Sequence, residues 1–242
     1  MRSSRKSRFA YYQEKLAAER LKQAYEIASA RVKQYLEAEV SYVLSHISAG
    51  DIVLDLGCGY GRVIPRLAER AGRVIGIDNS WPTLLLARQR LERQPQTSLA
   101  AMDALHLGFR DGVFDVVACL QNGVSAFHVD RRALIIESLR VARGGGKVLF
   151  STYSEKFWQH RLDWFKRQAA AGLLGEIDPE QTRNGLIVCK DGFRAATISA
   201  AEFRELATGL KATPSIEEVN GSSLFLVLLA EEAGASRRKE PD

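Results

Sequence analysis

The stretch IVLDLGCGYGR (residues 52–62) places Gly57, Gly59 and Gly61 directly behind an apolar run that contains a single acid, Asp55. A run of four or five apolar residues ending in glycines reads as a buried strand turning into a helix. Outward from it, further short apolar runs follow: Arg73–Ile77, a weaker Ser98–Met102, Phe114–Cys119 and Lys147–Ser151. Helix-like stretches near 62–70, 82–93 and 131–142 separate them. This alternation predicts an α/β fold, doubly wound, with a parallel sheet covered on both faces.

Upstream, residues 9–48 are rich in Ala, Glu, Lys, Gln and Leu and lack Pro and Gly, which predicts helix. Val32, Leu36, Val40, Val43, Leu44 and Ile47 form an apolar stripe on it that needs a body to cover. Downstream, residues 155–171 read as a helix with too many aromatics for one narrow face. Asn184-Gly185 and Lys190-Asp-Gly192 frame a β-hairpin over 184–198. Ser199 with Glu202 three residues later is a capping box opening a helix to about residue 208. Two last strands, near 213–219 and 223–230, join through Asn220-Gly221 and are expected to pair antiparallel. The expected organisation is a basic arm and helical cap (1–48), a core (49–234) with an insertion at about 152–198, and a polar tail (235–242).

The chain has 242 residues, 46% of them hydrophobic, enough for one large core. The net charge is +5, but Arg2, Arg5, Lys6 and Arg8 hold four of these charges and the last six residues one, so residues 9–236 are balanced. A balanced body argues against a phosphate-tracking groove and hence against a nucleic-acid partner. No run of about 18 apolar residues occurs, so no membrane span is expected, and the basic, serine-rich start lacks the apolar core of a secretory signal. The expected location is cytoplasmic. Three scattered cysteines, Cys58, Cys119 and Cys189, and four scattered histidines predict neither disulfides nor a metal site.

In a doubly wound sheet, ligands bind where the first strand turns into its helix, and glycines there permit positive φ and close approach to the main chain. Several exceed what turning alone requires. A nicotinamide GxGxxG fingerprint fails because Arg62 stands at the third glycine, and no GK[ST] follows for a phosphate loop. The pattern that remains, Val53-Leu-Asp-Leu-Gly-Cys-Gly-Tyr-Gly61, resembles the first motif of the class I S-adenosylmethionine-dependent methyltransferases, and later landmarks fall in order over residues 50–151.

That resemblance implies a Rossmann-like, mostly parallel seven-stranded sheet and S-adenosyl-L-methionine as cofactor, with S-adenosyl-L-homocysteine as product. It implies a cofactor site at Asp55, Gly57, Cys58, Gly59 and Gly61; at Asp78 and Asn79 for the ribose, the lesser alternative being that Asp78 caps the next helix; at Met102, Asp103 and Ala104 for the adenine; and at Gln121 for the methionine part or the acceptor. Asp55 can act by orienting the loop, and Asp115, at the start of its strand, reads as structural. Leu139-Arg-Val-Ala-Arg-Gly-Gly-Gly-Lys147 resembles the family's turn into its fifth strand, with Arg and Gly replacing the usual Lys and Pro.

Methyl transfer from a sulfonium needs chiefly positioning, and a base only if the acceptor must first lose a proton. The candidates near the acceptor are Asn122, Ser125 and His128 after the fourth strand and Tyr11 or Tyr12 as a lid. The alternatives are a His128 that flanks a helix border and tyrosines that anchor a helix start. The insertion is expected to build the acceptor pocket with Phe157, Trp158, Trp164 and Phe193, or to present them as a homodimer contact. The function expected is methylation of a small-molecule acceptor; an RNA methyltransferase and a non-catalytic cofactor-binding protein are the alternatives.

Overall fold

A computed structural model describes Tyr11 and residues 15–232. Two helices, α1 (Ala18–Glu26) and α2 (Ala30–Ser45), precede the alternating units β1 (Ile52–Leu56), α3 (Ile64–Ala68), β2 (Arg73–Asp78), α4 (Trp81–Arg90), β3 (Thr97–Ala101), β4 (Phe114–Cys119), a one-turn α5 (Gly123–Ala126), α6 (Arg131–Val141) and β5 (Ala142–Tyr153). A 3₁₀ turn (Glu155–Phe157), α7 (Trp158–Ala170) and the two-residue strands β6 (Ile187–Val188) and β7 (Arg194–Ala195) form the insertion, followed by α8 (Ala200–Ala207), β8 (Ala212–Val219) and β9 (Ser223–Ala230).

The main sheet has the order β3-β2-β1-β4-β5-β9-β8. Pairs from β3 through β5 are parallel, while β9 runs antiparallel to both β5 and β8. Its strands alternate faces, as a period of two requires. Leu54, Val117, Val148 and Phe150 enter one core with Leu134 and Ile135 of α6 and Phe203 of α8. Val53, Val116, Ala118 and Leu149 enter the opposite core with Val40 and Val43 of α2 and Ile64 and Leu67 of α3. The apolar stripe of the N-terminal segment thus finds its body in the sheet.

Two expectations change in detail. The N-terminal helix is interrupted at 27–29, where Ser29 accepts from the Val32 N–H at 3.3 Å and starts α2 afresh. The break lets α1 lie across the carboxyl edge of the sheet, held by the Ala18 N–H donating to Thr83 Oγ1 of α4 at 3.0 Å. The expected turn into the fifth strand is a bulge within β5, with the register shifting between Phe114↔Ala142 and Val116↔Lys147. Asp115 is a tie, as expected: it accepts from the Ile52 N–H at 2.7 Å and pairs with Arg143 at 2.6 Å. Ser199 and Glu202 form the capping box reciprocally. Among the described residues no helix is long and apolar enough to cross a membrane, and no cluster of His, Cys, Asp and Glu could hold a metal ion.

Candidate active site

The strand order reverses between β1 and β4, and the crevice at their carboxyl ends is where such a sheet binds ligands. Gly57, Gly59 and Gly61 sit there with φ of 71°, 54° and 74°, a region that side chains with a Cβ rarely adopt. What covers them differs at each position. A Cβ on Gly57 would lie 2.6 Å from the Phe127 ring, and one on Gly59 would lie 3.3 Å from Leu21 of α1. Gly61 faces Leu91 and Ala87, so it packs the loop against α4 and is not part of the crevice wall.

The crevice is a central cleft with a recess at each end. One recess is lined by Met102, Asp103, Ala104 and Val129, and joins the cleft at Gly57, Asp78, Asn79 and Phe127. The other is lined by Asp55, Cys58, Tyr60 and Arg62, and joins it at Gly57, Gly59, Tyr25 and Gln121. The cleft runs on beneath α1 to Tyr153, Trp164, Phe165 and Gln168.

Asp78 lines the cleft and one recess and holds main-chain groups on both sides. One oxygen accepts from the Gly59 N–H at 3.0 Å and the other from the Ser80 N–H at 2.8 Å, which ties the glycine loop to the start of α4. Each oxygen keeps a lone pair for a further donor. Burial pushes its carboxyl up, and these main-chain bonds hold it back. Asp103 is exposed, with the Leu105 N–H on one oxygen at 2.9 Å and the Met102 sulfur behind it accepting from the Gly108 N–H.

At the opposite recess, Asp55 is 2% exposed and its Oδ2 has no hydrogen-bond partner among the described residues. Burial raises its pKa to about 7, against the pull of the Arg62 charge and with a further push from Asp78. Arg62 lies over the Tyr25 ring at 4.8 Å. Cys58 is buried, and desolvation pushes its thiol well above the ordinary range, so it serves as an uncharged wall. Gln121, at φ 55°, donates through Nε2 to Glu39 and, at 3.3 Å, to the Tyr35 hydroxyl; its Oε1 is buried without a partner. Two unpartnered acceptors on residues lining one recess suit a ligand group rich in donors.

Several residues singled out in the sequence lie elsewhere. Asn122 is buried, donates to the Ala196 carbonyl at 2.9 Å and accepts from Thr152 Oγ1 at 2.8 Å, which fastens the insertion to β5 and leaves its amide no free end toward the cleft. His128 stands at φ 54° before α6, outside the residues lining the cleft, and burial with the Arg131 charge lowers its pKa. Ser125 is buried and accepts from Arg131 at 3.3 Å. Tyr11 is an anchor on the insertion: its hydroxyl donates to Asp191 at 2.8 Å, and its ring lies 4.8 Å from that of Phe193. Tyr12 lies outside the described residues.

Of the insertion aromatics, Trp164 reaches the cleft, its Nε1 donating to the Ala24 carbonyl of α1 at 2.8 Å. Phe157 is fully buried between Tyr35 and Tyr153, and Phe193 is buried among Tyr11 and Phe165. Packed inside the fold, they offer neither a pocket wall nor a dimer contact. Trp158 borders a separate cavity beside Arg161 and Glu202. The residues that reading missed are Phe127, Tyr25, Leu21, Tyr153 and Phe165, drawn to the cleft by the turn into α1 and by the packing of α7.

Residues 53–146 match the family model described as a methyltransferase domain. Residues 53–146 form a methyltransferase domain. The chain is 33% identical over 126 residues to a demethylmenaquinone methyltransferase of Thermobifida fusca, covering 51% of this chain and 52% of that one. It is 34% identical over 128 residues to a ubiquinone biosynthesis O-methyltransferase of Idiomarina loihiensis, covering 48% and 51%. The chain thus spans about half the length of these relatives. The fold of the methyltransferase domain is shared with the PH0226 protein of Pyrococcus horikoshii at a TM-score of 0.64 and 21% identity, over 92% of this chain and 96% of that one.

Proposed function

We propose that this protein transfers a methyl group from S-adenosylmethionine to a small-molecule acceptor. The observation that carries the reading is the shape of the crevice: a cleft running from the glycine loop under α1 into a short aromatic chamber of Tyr25, Tyr153, Trp164 and Phe165. A chamber roofed by a helix admits a small ring or chain more readily than a folded RNA. Both relatives carry names from quinone methylation.

The residues present suit the cofactor. Met102, Asp103 and Ala104 would hold the adenine, Asp78 the ribose hydroxyls, and Asp55, Gln121 and Arg62 the amino-acid end. The cofactor supplies a methyl already activated on a positively charged sulfur. The work left to the chain is to hold the acceptor atom about 3 Å from that methyl, in line, and to exclude water. Leu16, Leu21, Trp164 and Phe165 give the chamber apolar walls that would help to exclude water. Among the described residues lining the cleft there is no histidine or lysine, and Asp78 is the sole acid. The acceptor therefore brings its own nucleophile, such as a carboxylate, an amine or an acidic phenol.

The test is incubation of the full chain with methyl-labelled cofactor and separate pools of phenols, carboxylic acids, amines and tRNA. Label entering an organic pool supports the reading. Label entering tRNA alone, or cofactor binding without transfer to any pool, overturns it.

A further inference from the structure

Glu39 sits in the middle of α2, 0% exposed, and no lysine or arginine forms an ion pair with it among the described residues. A buried acid is costly unless its oxygens are hydrogen-bonded. Here Tyr35, one turn earlier, donates its hydroxyl to Oε1 at 3.4 Å, and Gln121 donates Nε2 to Oε2. Burial pushes the Glu39 carboxyl up, while the hydrogen bond from Gln121 and the Arg62 charge hold it down, and in its ionised form a carboxylate only accepts. It therefore dictates which way the Gln121 amide faces: the NH₂ end turns toward α2, and Oε1 is left over, buried and without a partner. Gln121 lines the same recess as Asp55, whose Oδ2 is likewise buried without a partner, with Arg62 and Tyr25 alongside.

Two acceptors with no donor, beside a guanidinium, match the two ends of an α-amino acid: an ammonium for the acceptors and a carboxylate for Arg62. We propose that Glu39 is a positioning residue, locking the Gln121 amide so that its oxygen, paired with Asp55, receives the α-ammonium of the cofactor. The inference rests on the methyltransferase reading of the cleft and adds to it a residue in a helix outside the matched domain. A merely structural Glu39 would tie α2 to the end of β4 and would affect every ligand of the crevice alike.

The experiment compares two ligands by titration calorimetry: S-adenosylhomocysteine, which carries the amino-acid end, and 5′-methylthioadenosine, which lacks it. In Glu39→Gln the carboxamide both donates and accepts, so it no longer fixes the orientation of Gln121. The expected result is about tenfold weaker binding of S-adenosylhomocysteine, on the scale of one hydrogen bond to a charged group, with methylthioadenosine changed less than about twofold. Because Glu39 acts through Gln121, its substitution should have no further effect in a Gln121→Ala background. Should Glu39→Gln not fold, Glu39→Asp keeps an acceptor-only carboxylate drawn back by one methylene and should show the same selectivity in smaller measure. Equal losses for both ligands, no loss, or full additivity with Gln121→Ala would overturn the proposal. Wild-type protein that binds neither ligand would overturn the underlying cofactor reading instead, a result distinct from a failed selectivity.

Discussion

At Asp78 one carboxylate joins the glycine loop to the next helix and still has capacity to receive ligand donors. Asp78→Ala removes both functions. The affinity for S-adenosylhomocysteine should fall by about 1–3 kcal/mol, the usual cost of losing hydrogen bonds to a charged group. Calorimetry checks this, and an unchanged affinity would remove Asp78 from the ribose site.

Asp55 makes a prediction about pH. Its pKa is about 7 in the fold because burial disfavours the charge, whereas an unfolded aspartate titrates near ~3.9. Between these values the folded state holds a proton that the unfolded state has released, so this group's contribution to stability is full below ~4, declines as pH rises to about 7, and is flat above. Asp55→Asn lacks that decline. Denaturant titrations of the ligand-free protein should show the variant gaining on wild type from pH 4.5 to 7.5, by an amount on the order of a few kcal/mol; a constant difference would contradict the raised pKa. At this scale the sequence was legible where a role is local. The acids at the strand ends and the glycines before a helix announce themselves by position. Glu39 did not, because it is a charged residue beside Leu36 and Val40 of the apolar stripe, and its partner Gln121 is 82 residues away. The glycine at 57 was read as room for a ligand; in the fold it lines the crevice, with the ring of Phe127 close by.

Among the elements, the capping box of α8 and the β8–β9 hairpin were legible, since both are written within a few residues: Ser199 with Glu202, and Asn220 and Gly221, each at positive φ. The break between α1 and α2 was missed because the composition stays helical through it and only Ser29 marks the restart. A helix and a hairpin were legible between the fifth strand and α8, but which aromatics there face the cleft depends on how α7 turns against α1, a tertiary fact. Asn122 belongs here, since its side chain joins β4's end, β5 and the insertion. Asn122→Ala would leave the buried Thr152 hydroxyl and Ala196 carbonyl without their partner and place alanine at φ 61°. A loss of about 1–3 kcal/mol in stability is expected, with affinity for S-adenosylhomocysteine retained in the folded fraction. Loss of transfer at full stability would instead return Asn122 to the chemistry.

For the whole molecule, the order of apolar runs and helical stretches was enough to give a doubly wound sheet, because covering both faces of a parallel sheet forces that alternation. The crevice follows from the reversal of strand order and needs no side-chain knowledge. Its roof and the chamber beneath it come from the first and seventh helices, whose meeting no local pattern records. The account as a whole claims that one adenosyl cofactor spans this crevice. The most direct measurement is a crystal structure of the full chain grown with S-adenosylhomocysteine. The account predicts density with the adenine beside Met102 and Asp103, the ribose on Asp78 and the amino-acid end at Asp55 and Gln121; a crevice left empty at saturating ligand, or filled in the reverse direction, would contradict it.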